Sequence, residues 1–226
     1  MGSSKIKIAY LTNDTDFGHS GLEVLKAKGF EIVYENFGSK FLELRDLEYD
    51  YLLSFCYPHK VSLENLSYAQ KCNINFHPAP LPSYKGFAVY NFGILNDEKQ
   101  WGTTAHIMEE DFDAGSIIRS NSFPIQKETA FSLREKSRCH LLSLLQEVAN
   151  DILSQKELDL VDNVGGEYYS KKMMNEARVI SLEESSCVIE RKVRAFWCPP
   201  YDGAILRINN NEFTLVNSDI IKTFGR

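Results

Sequence analysis

Asn75 and His77 stand two residues apart at the end of the apolar run "CNINF", and Asp113 follows downstream in "MEEDFDAGS". These three side-chain types can carry acyl transfer between them. A neutral imidazole near pH 7 takes a proton from an amine. An amide N–H donates to the oxyanion that forms on an attacked carbonyl. A carboxylate fixes the imidazole tautomer and favours its protonated form. None of the three has to become a covalent nucleophile, so the set suits direct transfer of an acyl group to an amine. Taken singly each is ordinary, since an Asp before a small residue and Gly is common turn chemistry. His106 lies in an expected strand and reads as a satisfied sheet residue, while Glu109 and Glu110 read as solvated.

The elements that must position these groups follow from periodicity. "KIKIAYL", "FEIVYENF", "DYLLSFCY" and "CNINF" read as strands, with "SGLEVLKAKG" and "FLELRDLEY" as intervening helices and "TNDTDFG" as a turn-rich loop. This alternation predicts an α/β fold, a Rossmann-like, mostly parallel sheet flanked by helices. Ligands of such sheets bind outside the carboxyl ends of the strands, where Asn75 and His77 fall. Pro78, Pro80 and Pro82 restrict the backbone just beyond the pair and help to hold it in place. Further on, "FAVYNFGILN" reads as a helix, "WGTTAHIM" and "GSIIRSNSFPI" as strands, and Thr129 to Leu153 as a long helix. "VDNVGGEYYSKKMM" reads as a loop. "AILRI" and "EFTLV" around "NNN" read as a hairpin. A catalytic domain over 1–178 and a small β-rich C-terminal appendage over 179–226 are the expected division, with no weight on Met1 to Ser4.

Composition narrows the class. Hydrophobic residues make up 43% of 226 and charged residues 25%, as in globular enzymes. A net charge of -6 argues against a protein that grips a nucleic-acid backbone. No apolar run reaches the length of a membrane span or of a signal-peptide core. Cys56, Cys72, Cys139, Cys187 and Cys198 are irregularly spaced without a C-x-x-C pair, which predicts reduced thiols in a cytoplasmic protein. His59, His77 and His106 lack the ligand spacing of a zinc site, so no metal is expected. "TNDTDFGHSG" after the first strand is not the G-x-G-x-x-G of a dinucleotide fold.

"INFHPAPLPSYKG" followed by "WGTTAHIMEEDFDAGSII" closely resembles the core of the folate-dependent formyltransferases, over roughly residues 50–152. The resemblance implies that Asn75 stabilises the tetrahedral oxyanion, that His77 deprotonates the attacking amine and that Asp113 orients and charge-stabilises His77. It implies 10-formyltetrahydrofolate as formyl donor. The pterin would lie against Tyr57, His59, Lys60 and Val61, and against Met108, Glu109 and Asp111 in the stretch leading to Asp113. The chain departs from the family at Ala79-Pro80-Leu81-Pro82, where Ser-Leu-Leu-Pro is usual, and at Lys85, where Arg is frequent. Glycinamide ribonucleotide enzymes carry a Gly-Ser-Gly-type loop after the first strand, which is missing here. Methionyl-tRNA enzymes share "IERKVRAFWCPPYDGA" but continue into a larger C-terminal domain. "HPAPLPSYKGFAVYNF" looks most like the sugar-nucleotide N-formyltransferases. That branch implies a nucleotide-linked deoxyamino sugar as acceptor, with a dTDP-4-amino-4,6-dideoxyhexose first among the candidates, and a homodimer. Tyr84, Lys85 and Gly86 would then meet the substrate, Lys85 at a diphosphate, and Trp197 or Tyr201 would stack on the base or else fill the tail's core. A catalytically silent folate-binding relative and a folate hydrolase are the competing classes.

Overall fold

The computed structural model describes residues 5–224. Strands β1 (Lys7–Thr12), β2 (Glu31–Phe37), β3 (Tyr51–Phe55), β4 (Cys72–His77), β6 (Gln100–Ile107) and β7 (Ile117–Pro124) form one sheet in the order β2-β1-β3-β4-β6-β7. The first four strands run parallel; β6 is antiparallel to β4, and β7 to β6. Strand β5 (Tyr84–Gly86) lies outside this sheet and pairs in parallel with β8 (Glu167–Tyr169). The expected α/β, mostly parallel architecture is the observed one.

The alternation of side chains along a strand buries both faces. On one face Ile8 and Tyr10 of β1, Leu53 and Phe55 of β3, and Ile74 and Phe76 of β4 pack with Leu22 and Leu25 of helix α1 (Asp16–Ala27). Helix α4 (Ala130–Leu153) completes that layer with Leu141, Leu144, Leu145, Val148 and Ile152, each at most 2% exposed. Each such side chain contributes about 1.5–3 kcal/mol when fully buried. Thr129 starts α4 through a capping box, its hydroxyl accepting from Ser132 N–H while Ser132 Oγ accepts from Thr129 N–H. On the other face Ala9, Leu11 and Leu52 meet Leu44, Val61 and Leu66, the last from the one-turn helix α2 (Leu63–Leu66). Ser54, Asn75 and His77 alternate with the apolar residues above, so they project to this second face, beyond its apolar patch.

Three expectations need correction. The turn-rich "TNDTDFG" already contains the first turn of α1, because the Thr15 hydroxyl accepts from Gly18 N–H at 3.1 Å and caps the helix there. "FLELRDLEY" is not a helix. Nine residues are too few to be helical on propensity alone, and the segment instead runs irregularly, sinking Leu44 and Tyr49 under the sheet with a turn from Leu47 N–H to Leu44 C=O of 3.2 Å. "VDNVGGEYYSKKMM" is not all loop: it holds β8 and the start of helix α5 (Lys171–Ala177), capped by Ser170. A three-residue strand shows no period, and its partner β5 lies far upstream in the chain.

The tail carries the expected hairpin, β10 (Ala204–Ile208) against β11 (Asn211–Leu215), with β9 (Val179–Ile180) parallel to β10. It also carries α6 (Ser186–Phe196) and α7 (Ser218–Phe224), two helices that the expectation of a β-rich tail did not name. Ile180, Val193, Phe196 and Ala204 share a buried cluster with Tyr84, Trp101 and Tyr169, and with Phe92 of α3 (Val89–Leu95), so the tail packs on the main sheet's flank.

Candidate functional site

Strand register brings the polar side chains together. Asn75 is directly opposite Ser54 of β3 and His106 of β6, which sets Ser54, Asn75 and His106 in one row across three adjacent strands. His77 is one pleat further on, at the carboxyl end of β4, and Asp113 reaches the row from the loop between β6 and β7. The two face each other, His77 Nδ1 at 3.3 Å from Asp113 Oδ1, with side chains 5% and 8% exposed. The same Oδ1 is 3.4 Å from His106 Nε2. His106 is satisfied, as a sheet residue should be, but its partners belong to the site: Asn75 Nδ2 at 3.0 Å and the Ile107 carbonyl at 2.7 Å.

Asp113 is held from several sides. Its Oδ2 accepts Gly86 N–H at 2.9 Å. Its φ is +54°, a left-handed backbone that Asp tolerates better than most residues. Asn163 Nδ2 donates to the carbonyls of Asp113 and Gly115, at 2.8 and 2.9 Å, and fixes that turn. Gly86 has to be glycine here, since φ is +86° and a Cβ would stand 2.6 Å from Tyr169 O and 2.8 Å from the Tyr168 ring.

The tautomer of His77 follows from its second partner. The Tyr84 carbonyl, 2.8 Å from Nε2, only accepts, so Nε2 carries a hydrogen and Nδ1 is the proton-accepting nitrogen. Burial, chiefly, lowers the His77 pKa; the Asp113 carboxylate opposes this and nearby His106 adds to it. Burial pushes Asp113 upward, yet His77, His106 and the Gly86 N–H together outweigh it and hold the carboxyl at about 2. The pair is therefore a neutral base beside an ionised carboxylate that favours the imidazolium once a proton arrives.

These residues open into a cavity of about 480 Å³. Tyr57, His59, Lys60, Val61, Met108, Glu109 and Asp111 line it together with Asn75, His77, Gly86 and Asp113. Tyr57 Oη and His59 Nε2 donate to the carbonyls of Ser39 and Gly38, at 2.6 and 2.9 Å, which ties that wall to the loop after β2. Tyr84, Lys85, Trp197 and Tyr201 are not among the lining residues. The Tyr84 ring is buried between Trp101 and Tyr169 with its hydroxyl on Glu98, because it anchors the core cluster, and only its carbonyl serves the site. Lys85 Nζ lies 3.4 Å from the Asn163 carbonyl. Trp197 packs in the tail's cluster, and Tyr201 is 71% exposed beyond the cis Pro199–Pro200 bond. Sequence reasoning missed Ser54, Phe87 and Tyr168, all of which line the cavity, and Asn163. Phe87 and Tyr168 are half-exposed aromatics at its rim, the one directly after Gly86 and the other opposite Lys85 in the pairing of β5 with β8. Among the described residues no group of His, Cys, Asp or Glu is arranged to hold a metal ion, and no helix is long and apolar enough to cross a membrane.

Comparison with known proteins bears on the fold and the family. The chain is 28% identical over 237 residues to a GDP-perosamine N-formyltransferase of Brucella melitensis, spanning all of this chain and 88% of that protein. Its fold is similar to the crystal structure of a 4-N formyltransferase from Francisella tularensis, with a TM-score of 0.81, 19% identity and coverage of 94% of this chain and 97% of the other. It is also similar to an N-formyltransferase from Helicobacter canadensis in complex with folinic acid and dTDP-3-aminofucose, with a TM-score of 0.73, 22% identity and coverage of 91% and 84%. Residues 18–145, more than half of the chain and including Asn75, His77 and Asp113, match the family described as formyl transferase, and the chain belongs to that family.

Proposed function

We propose that the protein moves a formyl group from 10-formyltetrahydrofolate to the amino group of a nucleotide-linked deoxyamino sugar. The observation that carries this reading is the convergence of Asn75, His77 and Asp113 on one cavity, with Asp113 fixed by Gly86 N–H and paired with His77 Nδ1. The relative named for GDP-perosamine and the neighbour holding folinic acid with dTDP-3-aminofucose support both halves of it.

In this reading the sugar amine attacks the formyl carbon on N10 of the folate. As the new C–N bond forms, the carbonyl electron pair moves to oxygen and Asn75 Nδ2–H donates to that oxyanion. The amine proton passes to His77 Nδ1, and the imidazolium is stabilised by Asp113. Collapse of the tetrahedral species breaks the bond to N10, which takes the proton and leaves as tetrahydrofolate. The pterin lies against the wall of Tyr57 to Val61 and Met108 to Asp113. The acceptor enters beside Gly86, where Phe87 and Tyr168 offer aromatic surface to a sugar or base. For the acceptor itself a dTDP-4-amino-4,6-dideoxyhexose stands first, with GDP-perosamine as its rival. We also take the chain to act as a homodimer through its tail, where Ile208 of β10 and Phe213 of the edge strand β11 are half-exposed. Light scattering at micromolar concentration tests that.

The experiment is tetrahydrofolate release by purified protein with a panel of dTDP-, UDP- and GDP-linked amino sugars. Glycinamide ribonucleotide and charged initiator tRNA serve as controls, with His77→Ala alongside. Release that needs one amino sugar and collapses in the variant supports the reading. Release without any acceptor indicates a hydrolase, turnover with only a control acceptor moves the protein to that branch, and silence throughout leaves a binding protein.

A further inference from the structure

The row Ser54, Asn75, His106 is a chain of hydrogen bonds that runs in one direction. The Ile107 carbonyl only accepts, so His106 Nδ1, 2.7 Å away, carries a hydrogen. In the neutral ring Nε2 then only accepts, and it takes an N–H from Asn75 Nδ2 at 3.0 Å. That places the amide oxygen at the other end, where it accepts the Ser54 hydroxyl at 2.8 Å. His106 is 2% and Ser54 4% exposed, so water does not readily replace either partner. One N–H of Asn75 is thus engaged by His106, and the second remains for the cavity that Asn75 lines.

We infer that Ser54 and His106 are positioning residues which grip the Asn75 amide from its two ends and keep its NH2, rather than its oxygen, on the side where the oxyanion develops. A turned amide would present a lone pair to that oxyanion and oppose the reaction. The inference deepens the proposed function and rests on its reading of Asn75 as the oxyanion donor. The competing pull on the clamp is Asp113, whose Oδ1 stands 3.4 Å from His106 Nε2. A hydrogen on Nε2 would serve that carboxylate and face the Asn75 NH2 donor to donor.

The test is steady-state kinetics on Ser54→Ala, His106→Leu, His106→Gln, the Ser54→Ala/His106→Leu double variant and Asn75→Ala, with thermal melts and 5-formyltetrahydrofolate binding confirming that each is folded. Removing one oxyanion donor costs about 10²–10³ in kcat in known enzymes, and a loosened donor costs less. His106→Leu should therefore lose roughly 30-fold in kcat and Ser54→Ala roughly 10-fold, with KM values unchanged. The double variant should be no slower than about His106→Leu alone, because either loss already frees the amide. His106→Gln, whose side-chain oxygen can accept from Asn75, should recover most of the rate. Single effects that multiply, or single variants at the wild-type rate beside a dead Asn75→Ala, would overturn the clamp and leave the role of Asn75 standing. An active Asn75→Ala would instead sink the oxyanion reading beneath it. Should His106→Leu not fold, Ser54→Ala alone carries the test: a roughly tenfold loss in kcat beside an intact His106→Gln supports the clamp, and a wild-type rate beside a dead Asn75→Ala overturns it.

Discussion

Asp113→Asn is the substitution that isolates charge from shape. Asn tolerates the φ of +54° at this position as well as Asp does, so the turn held by Asn163 is kept. The amide oxygen can still accept Gly86 N–H, and its NH2 would face His77 Nδ1 across the present 3.3 Å. That contact suits a neutral His77, whose Nδ1 accepts, and opposes the imidazolium, whose Nδ1 donates. The variant should therefore bind substrates normally and fail at proton uptake. At 3.3 Å and an effective dielectric of 20 the attraction between imidazolium and carboxylate is about 5 kcal/mol. Breaking buried pairs costs about 3–5 kcal/mol in other proteins. At about 1.36 kcal/mol per tenfold, kcat should fall by roughly 150-fold to a few thousandfold. The assay is acceptor-dependent release of tetrahydrofolate, read as single-turnover rate and as KM for both substrates. A rate within threefold of wild type, or a loss confined to KM, would refute the assignment of Asp113 to the charged form of His77.

Other perturbations test the frame around the pair. The Asp113 carboxyl is lowered from 3.8 to about 2, so its ionised form adds stability above pH 4 that is lost as pH falls through 2. That contribution is about 2 kcal/mol, and urea melts from pH 5 to pH 2 should show wild type losing that much of its margin over Asp113→Asn. Gly86→Ala pushes a methyl into the Tyr169 carbonyl at a positive φ; it should cost roughly 1–3 kcal/mol in denaturation and more than tenfold in kcat, because Gly86 N–H is drawn off Asp113. Leu145→Ala, fully buried under the sheet, should cost about 2–5 kcal/mol in chemical denaturation with little effect on the kcat of the folded fraction. Thr129→Ala removes the cap of α4 and should cost about 1 kcal/mol, visible as a lower denaturation midpoint at unchanged slope.

What was legible in the sequence and what was not separates along physical lines. Strands buried on both faces declared themselves as apolar runs, and α4 through leucines that recur at helical spacing. Asn75 and His77 were legible because proline spacing and strand end mark a rigid polar pair. Ser54 and His106 were not, since they sit inside otherwise apolar strands, and only the register between β3, β4 and β6 reveals that they flank Asn75. Asn163 is one Asn in a loop-like stretch, and its value lies in two carbonyls distant in sequence. Phe87 and Tyr168 reach the rim through the short pair β5 and β8, which no local period announces. "FLELRDLEY" misled because its leucines suit a helix, while what decides the backbone is a nonlocal pocket for Leu44.

The support of Asp113 by Asn163, and of Gly86 by the strand that ends at Tyr169, also bears on when activity can appear during synthesis. A ribosome that has released the chain as far as α4 has delivered every strand of the main sheet, and with them Asn75, His77 and Asp113. The segment that pins the carboxylate, from the Ile117–Val161 bridge to the pairing of β8 with β5, is still inside the exit tunnel. The nascent domain is then a formed sheet with its three reactive groups present and the aspartate untethered. Competence arrives once the chain through Tyr169 has emerged and that strap docks, so an unfinished chain has its core before it has its chemistry.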